Sequence, residues 1–435
     1  MPPLWAPSPA RVAESHLTAF VQWLGARGLG HFSDYRSLHE WSVRERGSFW
    51  SAVWDYCGAI GQKGDTDIVD GDRMPGAHFF PDARLNFAEN LLRRRDDSAA
   101  IVAFTEPDTA IGSGRRLTTR ELYDAVSRCA QALRAAGVVK GDRVAACVAN
   151  VPETIVAALA TASLGAVWSS CSPDFGAQGV LDRFGQIEPK VFLAVAGYHY
   201  GGKYHDIRPR LQEIIAQLPS ATTVVLIPDS WESFLAPFEA SQIEFEPVPF
   251  NHPLYVLYSS GTTGIPKCIV HGHGGTLLQH LKEHQLQTDI KPGDRVFYFT
   301  TCGWMMWNWL VTALASGATL VLYDGSPFMP DGNRLFDLAD LTEMTLFGTS
   351  AKFISAVQKA GLRPENTHRL ASVRTMTSTG SPLAAESFDF VYADIKRDVH
   401  LASISGGTDI VSCFVGGQPN APVWRGEIQT AALGM

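Results

Sequence analysis

No apolar run in this chain is long enough to cross a bilayer. The longest, Ile155 to Trp168, is interrupted by Thr161 and Ser163 and falls short of the roughly 18 residues a span needs. It reads as a buried helix running into a strand. The opening Met1-Pro2-Pro3-Leu4-Trp5-Ala6-Pro7 lacks both a basic n-region and a continuous apolar h-region, so no secretory signal is expected. Positive charge is also in deficit. Lys and Arg number 36 against 44 Asp and Glu, and the net charge of −8 gives no global field to attract nucleic acid or anionic membrane. The one dense basic run, Arg93-Arg94-Arg95, is offset at once by Asp96-Asp97. Seven cysteines are scattered without a C-x-x-C pair, which excludes a disulfide framework and suits reduced thiols. No short-period repeat or low-complexity tract is present. A soluble, cytoplasmic protein follows as the expectation, monomeric or weakly homo-oligomeric.

What is there is a large apolar fraction, 46% of 435 residues, enough to bury more than one core. Residues 1 to about 98 are rich in Trp and Phe with little sustained periodicity; short helices such as 11–27 and 43–57 are expected to wrap a larger body. From residue 99 onward, apolar runs of four to seven residues alternate with helical segments, the signature of a βαβ series and a largely parallel sheet. Gly137 and Gly361 follow helical segments where a left-handed C-terminal residue is wanted. Lys140-Gly141-Asp142-Arg143 and Lys291-Pro292-Gly293-Asp294-Arg295 are near-identical turns, each leading into an apolar strand. This echo implies two similar αβ layers.

The most specific string is Tyr258-Ser259-Ser260-Gly261-Thr262-Thr263-Gly264-Ile265-Pro266-Lys267, which follows directly on the apolar run Leu254–Leu257. A buried strand that breaks into a loop of Gly, Ser and Thr suits a phosphate-binding turn. Gly261 and Gly264 let backbone N–H groups approach an anion, hydroxyls add donors, and Lys267 brings positive charge. A plain flexible loop is the bland reading. A Walker-type NTPase is disfavoured, because Cys268 stands where the Mg²⁺-binding hydroxyl of G-x-x-x-x-G-K-[ST] would be. Ser403-Ile404-Ser405-Gly406-Gly407-Thr408-Asp409 is a second Gly-rich strand end, in which Thr408 could donate to a phosphate and Asp409 could hold a metal. Thr379-Gly380-Ser381-Pro382 is a third, with Pro382 expected in the first turn of the next helix. In open parallel sheets ligands gather beyond the carboxyl ends of strands, where all three turns would lie. Two His pairs, His271-Gly272-His273 and His280-x₃-His284, lack the Glu of H-E-x-x-H and any third ligand at metal spacing, so they read as core or solvated histidines.

The ten-residue string resembles the signature of the adenylate-forming acyl-CoA synthetases. Trp41-Ser42-Val43, Phe49-Trp50 and Asp82-Ala83-Arg84-Leu85-Asn86-Phe87-Ala88-Glu89-Asn90 resemble the N-terminal extension of the acetyl-CoA synthetase type. Gly303-Trp304-Met305-Met306-Trp307-Asn308-Trp309 and Ser405–Asp409 are most similar to the acetoacetate-using branch. The resemblance implies an α/β fold, with two stacked, mostly parallel sheets flanked by helices and a smaller β-rich subdomain. It implies an extension over 1–98, an incomplete AMP-binding large domain over 99–435, and a mobile C-terminal domain that is absent. The activity implied is an AMP-forming acid–thiol ligase: acetoacetate, ATP and CoA would give acetoacetyl-CoA through an acyl-adenylate, with Mg²⁺ on the phosphates. Acetate, propionate or another short acid is the alternative, as is a nucleotide-binding fragment without full catalysis. By the same resemblance, Ser259, Ser260, Gly261, Thr262, Thr263, Gly264, Lys267 and Thr408 bind phosphate. Gly380, Ser381 and Pro382 line adenine, Arg183 and Lys203 face the CoA phosphates, and Asp409 holds the metal in place of the usual Glu. Lys267, Thr408 and Asp409 carry catalysis. Trp304 would wall the acyl pocket, Trp307 and Trp309 being structural. Gly406, flanked by Gly407, stands where acetate-specific members place a Trp and would open the pocket to a four-carbon acid.

Overall fold

A computed structural model describes residues 2–106, 114–259 and 264–435. Two large sheets organise it. The first runs, in spatial order, Thr223–Ile227, Val191–Val195, Arg143–Cys147, Val167–Cys171, Pro253–Ser259 and Lys267–Gly272. Its first five strands are mutually parallel, and Lys267–Gly272 returns antiparallel as a hairpin arm. The second runs His400–Ser403, Thr375–Thr379, Leu346–Ser350, Arg295–Tyr298, Thr319–Asp324, Ala99–Thr105 and Arg115–Thr118. Here too only the last pairing is antiparallel. Strands such as Val191–Val195 are buried along their whole length, as expected of continuous apolar runs covered on both faces.

Alternation along the second sheet assigns its faces. Ile101, Val296, Leu320, Leu322 and Leu346 join the core shared with the first sheet, whereas Phe297, Val321, Tyr323, Phe347 and Met376 face a second core under Phe336 and Phe388. The N-terminal segment contributes Phe20, Leu24, Phe49 and Trp54 to the shared core, so it has no separate interior. Trp5 pairs with Val423 and donates its indole N–H to Asp398 at 2.8 Å. A small antiparallel sheet of Ser405–Gly407, Ser412–Gly416 and Thr430–Ala431 completes the β-rich part near the site.

The internal echo is realised atom for atom. Gly141 and Gly293, both at positive φ, donate to the carbonyls of Gly165 and Gly317 at 2.9 Å, and the carbonyls of Asp142 and Asp294 accept from Val167 and Thr319 at 2.7 Å. Each aspartate caps its own turn, at Val139 N (3.0 Å) and Lys291 N (2.7 Å). Each also binds a cation: Lys190, entering the neighbouring strand Val191–Val195, at 2.9 Å, and Arg374, entering Thr375–Thr379 one strand further off, at 2.7 Å. Gly137 and Gly361 take φ of 82° and 68°, as helix C-termini require.

Helix boundaries differ from expectation where side chains intervene. The segment 11–27 splits into Pro9–Ala13 and His16–Ala26, because Ser15 caps the second helix by accepting from Thr18 N at 3.1 Å. The helix expected over 43–57 is Arg46–Tyr56, preceded by Tyr35–Arg44 under an Asp34–Ser37 capping box. Pro382 lies outside the following helix, which begins at Ala385; its fixed φ serves the connecting segment instead. The edge strands Arg115–Thr118 and Lys267–Gly272 escaped the sequence reading. Their pairing depends on partners brought in by the hairpins, since neither is a long apolar run. All seven cysteines are free thiols, six of them buried.

The two equivalent turns differ in exposure, 23% for the Asp142 side chain and 8% for Asp294. Asp294→Ala is therefore expected to cost about 1.5–3 kcal/mol, the range for hydrogen bonds to a charged group, and Asp142→Ala less than about 1 kcal/mol. Urea midpoints at unchanged m-value measure both, and equal losses would contradict the ranking.

Candidate functional site

Because neighbouring strands are parallel, their carboxyl ends lie on one edge of each sheet. The two edges adjoin. Ser170 Oγ, on the first sheet, donates to the carbonyl of Cys302, just past strand Arg295–Tyr298 of the second, at 2.7 Å. A Cβ on Gly303 would sit 3.3–3.4 Å from Ser172 N and Cys171 Cα, so this glycine permits the close approach. Trp304 follows it as the N-cap of helix Met305–Thr312 and stands 66% exposed at the shared edge. Trp307 and Trp309 are core, their indole N–H groups donating to Asn150 Oδ1 (3.1 Å) and Glu283 Oε2 (2.9 Å).

Among the residues expected to face phosphate, Ser260, Gly261, Thr262 and Thr263 lie outside the described residues. Those flanking them form the hairpin mouth. Ser259 pairs with Lys267 across the two arms, Gly264 has φ of 89°, and Lys267 is exposed. The return arm carries His271, whose Nε2 lies 2.7 Å from the carbonyl of Thr408. As a carbonyl can only accept, this histidine carries its proton on Nε2. The contact seats the Thr408–Asp409 turn against the Lys267 arm, with the exposed Asp409 carboxylate acting electrostatically on His271. Gly380, at φ of 87°, and Ser381 emerge from strand Thr375–Thr379 beside it; Ile404 N donates to Ser378 O at 2.9 Å, and Thr379 Oγ1 to Ile404 O at 3.2 Å. Sequence segments more than a hundred residues apart thus meet at one edge.

Two placements depart from expectation. Gly406 does not leave a side-chain-sized void. A Cβ there would lie 2.0 Å from Ser412 O and 2.4 Å from Cys413 Cα, because Gly406 sits at an irregularity where its strand crowds the partner backbone. The open direction belongs to Gly407, whose Cβ would meet nothing nearer than Asp409 N at 4.0 Å. Arg183 is not turned to solvent. Its guanidinium lies 4.5 Å over the Phe175 ring and 5.6 Å over Tyr258, and donates to Gly179 O at 2.6 Å, which keeps it beside the hairpin. Lys203 is exposed on a separate hairpin, Gly197–Tyr200 with Lys203–Asp206, whose tip donates from Gly201 N to Glu106 at 2.9 Å. Among the described residues no contact joins Arg183 to Lys203.

Metal fit follows from donor chemistry. No group of three or more His, Cys, Asp and Glu side chains able to hold an ion exists among the described residues. One exposed carboxylate, Asp409, suits a hard cation that takes its remaining oxygens from phosphate and water. The histidine pairs are core, as expected: His280 and His284 are fully buried, and burial depresses both. Sequence reasoning missed that His271 and His280 hold the carbonyls of Thr408 and Val411 on either side of Asp409. Nothing local could have revealed it, since the partners are more than 130 positions away. Two surface cavities lie elsewhere: one of about 410 Å³ borders His16, Arg93 and Pro292, and another of about 570 Å³ borders Asp340 and Arg369. Among the described residues no helix is long and apolar enough to cross a membrane.

Burial lowers His273 to about 3, and His280 and His400 to about 4. Their folded values lie below the unfolded value near 6.5, so the stability they contribute is complete above about pH 6.5. It is lost as pH falls toward 4, by up to about 1.4 kcal/mol per pH unit for each group. Urea midpoints measured from pH 7.5 down to 4.5 should fall steeply; a flat profile would contradict neutral buried histidines.

With this geometry in place, comparison with known proteins is informative. Residues 87–426 match the AMP-binding enzyme family, and residues 35–91 match the acetyl-coenzyme A synthetase N-terminus. The chain is 56% identical to acetoacetyl-coenzyme A synthetase of Rhizobium meliloti (strain 1021), over 100% of this chain and 68% of that protein. It is 44% identical to acetoacetyl-CoA synthetase of Gallus gallus, over 99% of this chain and 67% of that protein. The solved structure of acetoacetyl-CoA synthetase from Streptomyces lividans superposes with a TM-score of 0.93 at 43% identity, covering 100% of this chain and 69% of that one.

Proposed function

The chain belongs to the AMP-binding enzyme family, within its acetoacetyl-CoA synthetase branch, and on that footing we propose that it ligates acetoacetate to CoA at the expense of ATP. The observation that carries the site assignment is the His271–Thr408 contact, which sets the Lys267 hairpin and the Asp409 turn side by side at the shared sheet edge. In the first step a carboxylate oxygen attacks the α-phosphorus of ATP, the Pα–O–Pβ bond breaks, and pyrophosphate leaves with the electron pair. In the second the CoA thiolate attacks the acyl carbonyl, the bond to AMP breaks, and the thiol proton passes to solvent.

The protein's part is positioning and charge stabilisation. Lys267 and the hairpin N–H groups neutralise and orient phosphate oxygens. Thr408 donates to phosphate through its hydroxyl, its carbonyl being held by His271. Gly380, Ser381 and Pro382 flank adenine. Asp409 would hold Mg²⁺, which offsets phosphate charge when bound. Arg183, held against Tyr258, fits the nucleotide side better than a remote CoA contact; Lys203 stays with the CoA phosphates. Trp304 and the backbone of Gly406–Gly407 border the acyl group. We also read residues 1–98 as the extension and 99–435 as the AMP-binding large domain, sharing one core. Acetoacetate-dependent exchange of pyrophosphate into ATP tests the reading; its absence in an active preparation, or butyrate serving equally well, would overturn the substrate assignment.

Lys267→Ala removes a charge-assisted hydrogen bond worth about 1.5–3 kcal/mol. The expected result is kcat/KM for ATP lowered roughly 10- to 150-fold with an unchanged melting temperature. Steady-state kinetics with ATP varied will show it.

Gly407→Trp should fill the open direction and lower acetoacetate turnover roughly 10- to 100-fold while sparing acetate, from an overpacking cost of about 1–3 kcal/mol. Gly406→Ala, by contrast, should lower the melting temperature, because its Cβ meets strand backbone. Acid-dependent exchange and thermal unfolding separate the two.

A further inference from the structure

Behind the Asp409 turn lies a polar cluster with no exposed member. Glu283 is buried in a π-helical turn, Lys282–Gln287, that continues helix His273–Leu281. Its carboxylate accepts from Trp309 Nε1 at 2.9 Å, from Cys413 N at 3.1 Å and from Ser412 Oγ, with Lys282 Nζ at 3.7 Å as counter-charge. One turn earlier, His280 places Nε2 2.8 Å from the carbonyl of Val411 and Nδ1 2.8 Å from Thr312 Oγ1. The carbonyl requires a donor, so the proton sits on Nε2; the Thr312 hydroxyl beside Nδ1 has one proton, which it shares between that nitrogen and the carbonyl of Asn308 at 2.8 Å. Burial keeps this ring neutral, with its value near 4.

A charged pair at this depth is costly, and an apolar core of the same volume would be at least as stable. Its hydrogen bonds converge on a single short segment, Val411–Cys413, and on one tryptophan. That segment is strained: Val411 has φ of 51°, left-handed backbone that a β-branched residue adopts only when its surroundings impose it. Two residues before it stands Asp409. Across the small sheet, Gly406 pairs with Cys413 and Gly407 with Ser412. Trp309 belongs to the helix that Trp304 caps. A π-turn at such a junction is a recurrent mark of functional sites.

We propose that His280 and Glu283 are positioning residues that set the acid specificity of this site: they hold Val411–Cys413 in its strained form and tie it to the Trp304 helix. The spacing between Gly406–Gly407 and Trp304, and the aim of Asp409, are thereby fixed together. This rests on the ligase reading above. Neither side chain touches substrate. Their effect passes through the Val411 carbonyl, the Ser412 hydroxyl and the Trp309 indole.

The test uses the full chain with His280→Phe, which keeps a ring but loses the donor, and His280→Gln, whose amide nitrogen can reach the place of Nε2. Amide hydrogen exchange of the 405–413 peptide is expected to be about tenfold faster in His280→Phe and within about threefold of wild type in His280→Gln. In turnover, His280→Phe should raise KM for acetoacetate about tenfold with kcat little changed, and narrow the preference for acetoacetate over butyrate. His280→Gln should restore both. Equal effects of the two substitutions, or a 405–413 exchange rate that neither alters, would overturn the proposal. If His280→Phe does not fold, Thr312→Val keeps the ring and removes the hydroxyl that contacts its Nδ1. Exchange about threefold faster is then expected, and unchanged exchange is the overturning result. Absence of acid-dependent turnover in the wild type would sink the ligase reading alone, since the exchange rates still decide whether His280 holds the turn.

Discussion

Parallel pairing in both large sheets is the constraint on which the remaining structure depends, because it makes all the parallel strands of a sheet leave on the same side. In the first sheet the strands ending at Cys147, Cys171 and Ser259 share that edge; in the second, those ending at Tyr298, Ser350, Thr379 and Ser403 do. Crossover helices then cover the faces, and the loops after the parallel strands gather at that edge, where ligand sites of such sheets are commonly found. The two edges are held in contact by the Ser170–Cys302 hydrogen bond and by the absence of a side chain at Gly303. A site built from four distant segments therefore needs no dedicated scaffold beyond the sheets.

The capped turns at 140–143 and 291–295 serve the opposite edges. Each uses a left-handed glycine to reverse the chain and an aspartate to satisfy the backbone and bind a cation at the start of another strand of the sheet. One set of turns joins neighbouring elements at the start of the strands, and the other set forms the candidate site. In the same way, His271 and His280, which sequence spacing could present as metal ligands, are used here as donors to turn carbonyls. Their burial makes that role possible, since a protonated imidazolium would be poorly tolerated in those positions.

Much of this was legible in the sequence. Val191–Val195 was legible as a plain apolar run between breakers, as a parallel strand buried along its whole length is. The repeated turns disclosed the paired layers because the same local hydrogen-bonding problem calls for the same Gly-Asp solution. Other elements were opaque for a common reason: their state depends on a partner distant in sequence. Arg115–Thr118 becomes a strand only beside Ala99–Thr105. Helix 11–27 divides because the Ser15 hydroxyl competes for a backbone donor.

The candidate site shows the same division. Residue types and spacing alone determined that Ser259–Lys267, Gly380–Pro382 and Ser405–Asp409 end strands of a parallel sheet, and that Lys267 and Asp409 supply opposite charges there. Those are local properties, set by backbone conformation and side-chain chemistry. The direction in which a side chain at Gly406 or Gly407 would point belonged to the tertiary structure, as did the cation–π seat of Arg183 and the joining of Glu283 to Ser412 and Trp309. A one-residue irregularity in strand pairing reverses which glycine faces open space, and no count along the chain can register it. The physical reason is that direction is a property of how strands pair, and pairing is settled by the whole core.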